Sequence, residues 1–156
     1  MELVQNILKL AQGEYVAVEK IENAYSMSSM VAQIYVHGDP LEDYLIAVVI
    51  PDLDGLAALA STLGQKPVGP NDREALLAAA TDERVITTLM AELAKHAKKA
   101  GLKGFESVKK IHVSLDPFTI ENDTLTPTLK IKRSVVIQVI VLFFLPLMLT
   151  LFFLVL

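Results

Sequence analysis

Every charged residue of this chain lies within Met1–Arg133, and the closing segment Val135–Leu156 carries none. Only Gln138, Pro146 and Thr150 interrupt those 22 apolar positions. A helix of that length rises about 33 Å, against a bilayer hydrocarbon core of about 30 Å. Lys130, Lys132 and Arg133 stand just ahead of it, and such a cationic flank holds its side of a span in the cytosol. The pattern predicts a transmembrane tail anchor over 135–156, behind a domain over 1–134. Two blander origins of the tail stay open. It is then either an appended segment that is not the domain's native ending, or a buried core helix needing a large apolar partner.

With the tail set aside, about half of the remaining residues are apolar, which suits one globular domain plus an appendage. The formal net charge of −4 disfavours nucleic acid as the main partner, since phosphate binding needs a basic footprint. The chain has no Cys, which excludes disulfides, thiol nucleophiles and Cys-ligated metals. The opening stretch "MELVQNILKLAQG" lacks the long apolar core of a secretory signal.

Periodicity predicts a short strand in "ILKLA" (7–11), a turn at Gly13 and a helix over about 18–26. In that helix Val16, Ile21 and Tyr25 fall near helical spacing, and Glu19 and Glu22 are expected to face outward. "MVAQIYVHG" and "YLIAVVIPD" read as two strands of a hairpin around the turn "GDPLED", the second being central in its sheet. Three helices follow. The first ends at Gly64, the second is capped by Asn71 with Glu74 in the capping-box position, and the third covers 83–100 with Gly101 as terminator. "KKIHVSL" (109–115) alternates polar and apolar residues as a strand with one wet face does. The expected fold class is α+β: a small mixed or antiparallel sheet covered by helices, with an apolar helix at the C-terminus.

Few residues suggest chemistry by pattern alone. His37, His96 and His112 show no metal-ligand spacing and read as surface residues, so no metal site is expected. The carboxylates of "HGDPLEDY" suit a solvated turn. Lys95, Lys98, Lys99, Lys103, Lys109 and Lys110 suit either ordinary surface or an electrostatic attractor for the phosphates of a nucleotide-like ligand. Gly13 in "AQGEYV" is either a plain turn or a place where backbone approaches a ligand closely. If "TLTPTLKIKR" is extended, Thr126, Thr128, Lys130 and Lys132 share one face, and Leu125, Leu129 and Ile131 the other. Lys130 would then project outward, either as a wet-strand residue or as a charge that stabilises a developing anion.

Two of these stretches, "ILKLAQGEYVAVEKIENAY" and "KKIHVSLDPFTIENDTLTPTLKIKR", resemble segments of the long-chain fatty acyl-CoA synthetases, members of the adenylate-forming (AMP-binding) superfamily. The resemblance spans about Ile7–Arg133. It implies the C-terminal lid of such an enzyme, a small domain that rotates over a large ATP- and fatty-acid-binding domain. In one pose, the lysine matched by Lys130 reaches the carboxylate and α-phosphate and promotes acyl-adenylate formation. In the other, the loop matched by Gly13, Glu14 and Tyr15 lines the path of the CoA pantetheine arm. ATP and CoA are the implied cosubstrates, with Mg2+ expected on the large domain.

The sequence departs from the complete family pattern in several places. It has no Gly/Ser/Thr-rich phosphate loop, acyl pocket or magnesium-binding acid, and "MELVQ" shows no acidic hinge residue. After Arg133, where the family continues with a charged amphipathic helix, the chain turns apolar. The expectation is therefore a partial fatty acid–CoA ligase, inert alone, whose partner is the missing large domain. The alternative is a membrane-anchored CoA-binding or regulatory module that keeps the lid fold, and a third option is a product with no function of its own. The tail would place either of the first two on the cytosolic face of the endoplasmic reticulum, the mitochondrial outer membrane or the peroxisome.

Overall fold

The computed structural model describes residues 7–138. It divides into two compact units, one ending at Pro117 and the other beginning at Phe118, so the division falls inside the segment 1–134. In the first unit, β1 (Ile7–Lys9) and β2 (Tyr15–Ala17) form an antiparallel ribbon. Strand β2 runs directly into helix α1 (Val18–Ser26). A three-stranded sheet follows in the order β3 (Val31–Gly38), β4 (Leu45–Pro51), β5 (Val108–Val113). Strand β4 is central as expected, antiparallel to β3 and parallel to β5. Helices α2 (Leu53–Gly64), α3 (Arg73–Thr81) and α4 (Glu83–Lys99) supply the crossover between β4 and β5. The architecture is mixed α+β, with small sheets and packed helices.

The core follows from the two periodicities. Leu45, Ala47 and Val49 of β4 are buried together with Ile34 and Val36 of β3 and Val108, Ile111 and Val113 of β5. Ile21 and Tyr25 of α1 join this cluster, as do Val85, Leu89, Leu93 and Ala97 at helical spacing along α4. Helix α1 begins and ends at the expected residues, but Glu22 does not face outward. It is 7% exposed, and its carboxylate accepts the Val36 amide of β3 at 2.8 Å. A buried carboxylate survives only with such partners. Tyr25 works in parallel: its buried hydroxyl accepts the Val108 amide of β5 at 3.0 Å.

Helix α2 ends at Gly64 as expected, while the cap of α3 differs from the sequence reading by one residue. Asp72, not Asn71, caps α3, its carboxylate accepting from the Ala75 amide at 3.2 Å. Helix α2 closes with Gln65 in the left-handed conformation at φ 52°, after a Gly64 that is still helical. Gly101 ends α4 as expected, at φ 72°. Gly38 is not a turn residue needing backbone freedom. It closes β3, and a Cβ there would lie 2.2 Å from Leu8 Cδ2 and 2.7 Å from Leu45 Cδ2, so it makes room for core side chains.

The second unit is built on turns. Asn122 and Thr119 exchange side-chain and backbone bonds, Thr119 N donating to Asn122 Oδ1 at 3.1 Å and Asn122 N to Thr119 Oγ1 at 3.0 Å. A helix starts at 133 and runs through 138. The expected tail anchor over 135–156 therefore lies, beyond 138, outside the described residues. Among the described residues, no helix is long and apolar enough to cross a membrane.

The three His are less exposed than expected. Each is half-buried, and burial in β5 pushes His112 below its ordinary range. The folded state thus prefers a neutral ring. Above about pH 6.5 the ring is neutral whether folded or not; below it the unfolded chain takes the proton first, and stability falls. Glu106 adds to the trend at lower pH. Burial opposes its ionisation, but the Lys103 amide and the Lys20 ammonium, 3.1 Å away, outweigh that and hold its carboxyl below the usual range. Its stabilisation is complete above about pH 4.3 and is lost as pH falls. Urea unfolding at a series of pH values is expected to show stability declining from pH 7 to 5, and more steeply below. His112→Gln should flatten the first part of that decline and leave the second.

Candidate functional site

The ribbon β1–β2 turns through Leu10–Glu14. Leu10 N donates to Glu14 O at 2.8 Å and Gly13 N to Leu10 O at 2.9 Å, while Gly13 takes φ 93°. This is the hairpin that pairs a tight turn with one left-handed residue, a position glycine fills without steric cost. Nothing lies within 4 Å of where a Gly13 Cβ would sit, so backbone geometry and not crowding requires the glycine. The turn "GDPLED" braces it from outside. Ala11 N donates to Glu42 O at 3.0 Å and Gln12 Nε2 to Asp43 O at 3.4 Å, while Asp39 Oδ1 accepts from Leu41 N at 2.8 Å to hold that turn closed.

Gly13, Glu14 and Tyr15 are therefore brought together on one exposed, well-tied loop. Tyr15 is 65% exposed. Lys9, its cross-strand partner, sets its ammonium 5.6 Å from the ring centroid, a cation–π distance. Sequence reading missed Lys9. The signal was the strand register itself, which puts Lys9 and Tyr15 on the face opposite Leu8 and Val16.

Lys130 belongs to the second unit, and its setting overturns the extended segment expected there. Thr126 N donates to Lys130 O and Leu129 N to Thr126 O, both at 2.8 Å, and Leu129 takes φ 63°. The same hairpin type recurs, with leucine in the left-handed position. An isolated antiparallel bridge between Leu125 and Ile131 forms its stem. Alternation of faces consequently breaks at Leu129, which is 68% exposed, not packed inward with Leu125. Lys130 is exposed, and among the described residues its ammonium makes no ion pair. Lys132, by contrast, is tied to Asp123. Two lysines expected on one face thus differ: among the described residues Lys132 is ion-paired and Lys130 is not.

The basic run is dispersed over exposed positions of α4, the following loop and β5. Lys95 pairs with Glu92 at 3.4 Å, and Lys103 lies 5.7 Å from the Phe105 ring centroid. Among the described residues, no three His, Cys, Asp or Glu side chains are grouped so as to hold a metal.

No model of a known protein family matches the chain. Individual proteins do match. The A domain of a carboxylic acid reductase from Segniliparus rugosus, solved with AMP and a co-purified carboxylic acid, is 31% identical with a TM-score of 0.68. That match covers 97% of this chain and 20% of the other. The adenylation domain of a carboxylate reductase from Mycobacterium chelonae is also 31% identical, with a TM-score of 0.65 over 96% of this chain and 20% of its own. The fold is thus similar to a segment of these adenylation domains.

Within that class the relatives are narrower. Long-chain-fatty-acid–CoA ligase 5 of Mus musculus is 50% identical over 129 residues, 83% of this chain and 18% of the mouse protein. Long chain acyl-CoA synthetase 2 of Arabidopsis thaliana is 43% identical over 134 residues, 86% of this chain and 19% of the plant protein. The chain is similar to long-chain-fatty-acid–CoA ligases over 83% of its own length, and it spans only about 18% of the length of the curated relatives it matches.

The Gly13 hairpin generates a clean test. Because the space around its missing Cβ is open, Gly13→Ala should cost only the backbone penalty of a left-handed non-glycine residue, about 1–2 kcal/mol. Urea unfolding of the two proteins measures the difference. A loss far above that range would mean that close packing, not φ, demands the glycine.

Proposed function

We propose that this chain is the lid segment of a long-chain fatty acid–CoA ligase and works only against the large ATP- and acyl-binding part that the family resemblance implies. The single observation carrying the reading is the exposed Lys130, without an ion pair among the described residues, at the closing pair of a tight hairpin and in the position that the family resemblance gives to a lysine of adenylation. In the first half-reaction a fatty-acid carboxylate oxygen attacks the α-phosphorus of ATP. A C–O–P anhydride link forms, the bond to the bridging oxygen breaks, and pyrophosphate leaves. Lys130 would neutralise charge on the carboxylate and α-phosphate as it builds. In the second, the CoA sulfur attacks the acyl carbon, the C–S bond forms and the C–O bond to AMP breaks. The thiol proton passes to solvent. Gly13, Glu14 and Tyr15 would line the approach of the pantetheine arm, since a side-chain-free position lets a thin chain run close to backbone. ATP and CoA are the cosubstrates on this reading, and Mg2+ would accompany ATP on the large domain.

The 156-residue chain alone should form no acyl-CoA from palmitate, ATP and CoA above a buffer blank. Joined to the mouse ligase in place of its homologous segment, it should support the full reaction. Lys130→Ala in that chimera should then slow adenylation about 100-fold, the scale of one lost charge-stabilising group. Thioester formation from preformed acyl-adenylate should barely change. Equal losses in both half-reactions would remove the role given to Lys130.

The reading extends to location. The apolar segment 135–156 would anchor the protein with its charged part on the cytosolic face. One relative, from Penicillium roqueforti, is named as peroxisomal, which keeps that organelle among the candidates. Sodium carbonate washing of membranes from cells expressing the full chain is expected to leave it in the pellet; release into the wash would rule the anchor out.

A further inference from the structure

The two motif hairpins share one hydrogen-bond pattern but differ at the residue that must be left-handed. Gly13 takes that position without cost, whereas Leu129 takes it at φ 63° with a full side chain. A non-glycine residue there is held against a steric penalty, and something in the surroundings must over-determine it. At Leu129 the extra constraint is visible. Thr126 Oγ1 accepts a hydrogen bond from Lys130 N at 3.0 Å, a bond with no counterpart among those recorded for the Gly13 hairpin. Thr126 N also donates to Lys130 O at 2.8 Å. Both backbone polar groups of Lys130 therefore end on one residue. Thr126 itself is restricted sterically by the ring of Pro127 that follows it, and steadied by a 3.1 Å contact between its hydroxyl and that of Thr128.

From this geometry we infer that Thr126 is the positioning residue for Lys130: its hydroxyl holds the strained Leu129 turn closed and so fixes the direction in which the Lys130 side chain leaves the backbone. The inference rests on the role proposed for Lys130 in adenylation. A lysine side chain has four flexible bonds, so its reach is useful only if its root is fixed. Displacement of a reacting group by about 1 Å can cost about 100-fold in rate. Lys132 needs no such device, because its ammonium is already tied to Asp123.

Two measurements test this, with Thr126→Val removing the hydroxyl at nearly constant shape and Thr126→Ser restoring it. In the full 156-residue chain, amide exchange at Lys130 followed by NMR should speed up about tenfold in Thr126→Val and stay near the parent in Thr126→Ser. In the chimera with the mouse ligase, Thr126→Val should lower the adenylation rate about tenfold with KM for ATP unchanged. Thr126→Ser should recover that rate, and thioester formation from preformed acyl-adenylate should be unaffected in both. Unchanged Lys130 exchange in Thr126→Val would overturn the hydrogen bond. Faster exchange with undiminished adenylation, while Lys130→Ala still disables it, would overturn the positioning role and spare the role of Lys130. Equal loss in both half-reactions would mark Thr126 as merely structural. If Lys130→Ala leaves adenylation intact, the proposed function falls first, and positioning by Thr126 with it.

Discussion

Helix α1 is where the first unit is tied together, and the Gly13 loop depends on it. Three polar side chains leave this nine-residue helix and bind elements distant in sequence: Glu22 takes the Val36 amide, Tyr25 the Val108 amide, and Lys20 the Glu106 carboxylate. The first two bonds are buried and join the helix to both outer strands of the three-stranded sheet. Buried hydrogen bonds of this kind stabilise modestly when made, but leave a costly orphan when one partner is lost. They therefore fix where the helix sits more than they deepen the energy well. Because β2 runs into α1 without a linker, fixing the helix fixes the ribbon, and with it the loop that presents Tyr15 to solvent.

The same economy governs the two hairpins. An exposed loop loses definition unless its backbone groups are satisfied internally. Both hairpins solve this by closing on themselves through paired main-chain bonds and one left-handed residue. The Gly13 loop gains its remaining definition from a neighbouring turn, through Ala11 and Gln12. The Lys130 loop gains it from a threonine hydroxyl within the hairpin. Glycine suits the first because an open surface is left where a side chain would stand.

How much of this was legible in the sequence depended on whether a feature is local. Helix α1 and the hairpin β3–β4 both follow from periodicity, and the structure bears them out. Glu22 was misjudged because periodicity ranks residue types, while its burial is decided by a strand amide fourteen residues away. Asn71 and Asp72 are equally good caps by chemistry, and only the backbone path chooses between them. The alternation in "TLTPTLKIKR" imitates a strand so well that the turn at Leu129 was invisible, since leucine gives no hint of a left-handed backbone. Lys130 could be singled out by resemblance, but its freedom from an ion pair, and Lys132's lack of it, depend on where Asp123 lies.

Magnitudes finally decide what an exposed Lys130 can do by itself. A unit charge about 4 Å from an anion is worth about 1 kcal/mol in water and about 4 kcal/mol in the partly dry surroundings near a protein surface. A hundredfold rate effect needs about 2.7 kcal/mol. A fully solvated ammonium falls short of that, and one enclosed by a second protein surface exceeds it. On the proposed reading the hairpin would contribute direction and the chain the charge, but the dielectric that makes the charge effective would have to come from elsewhere. In the role proposed here, a segment that matches about 18% of its relatives' length would thus carry a catalytic group whose strength is set by a second protein surface. Closure of the lid would then be more than a means of bringing Lys130 within reach. It would convert an ordinary surface lysine into one able to stabilise the transfer of a nucleotide.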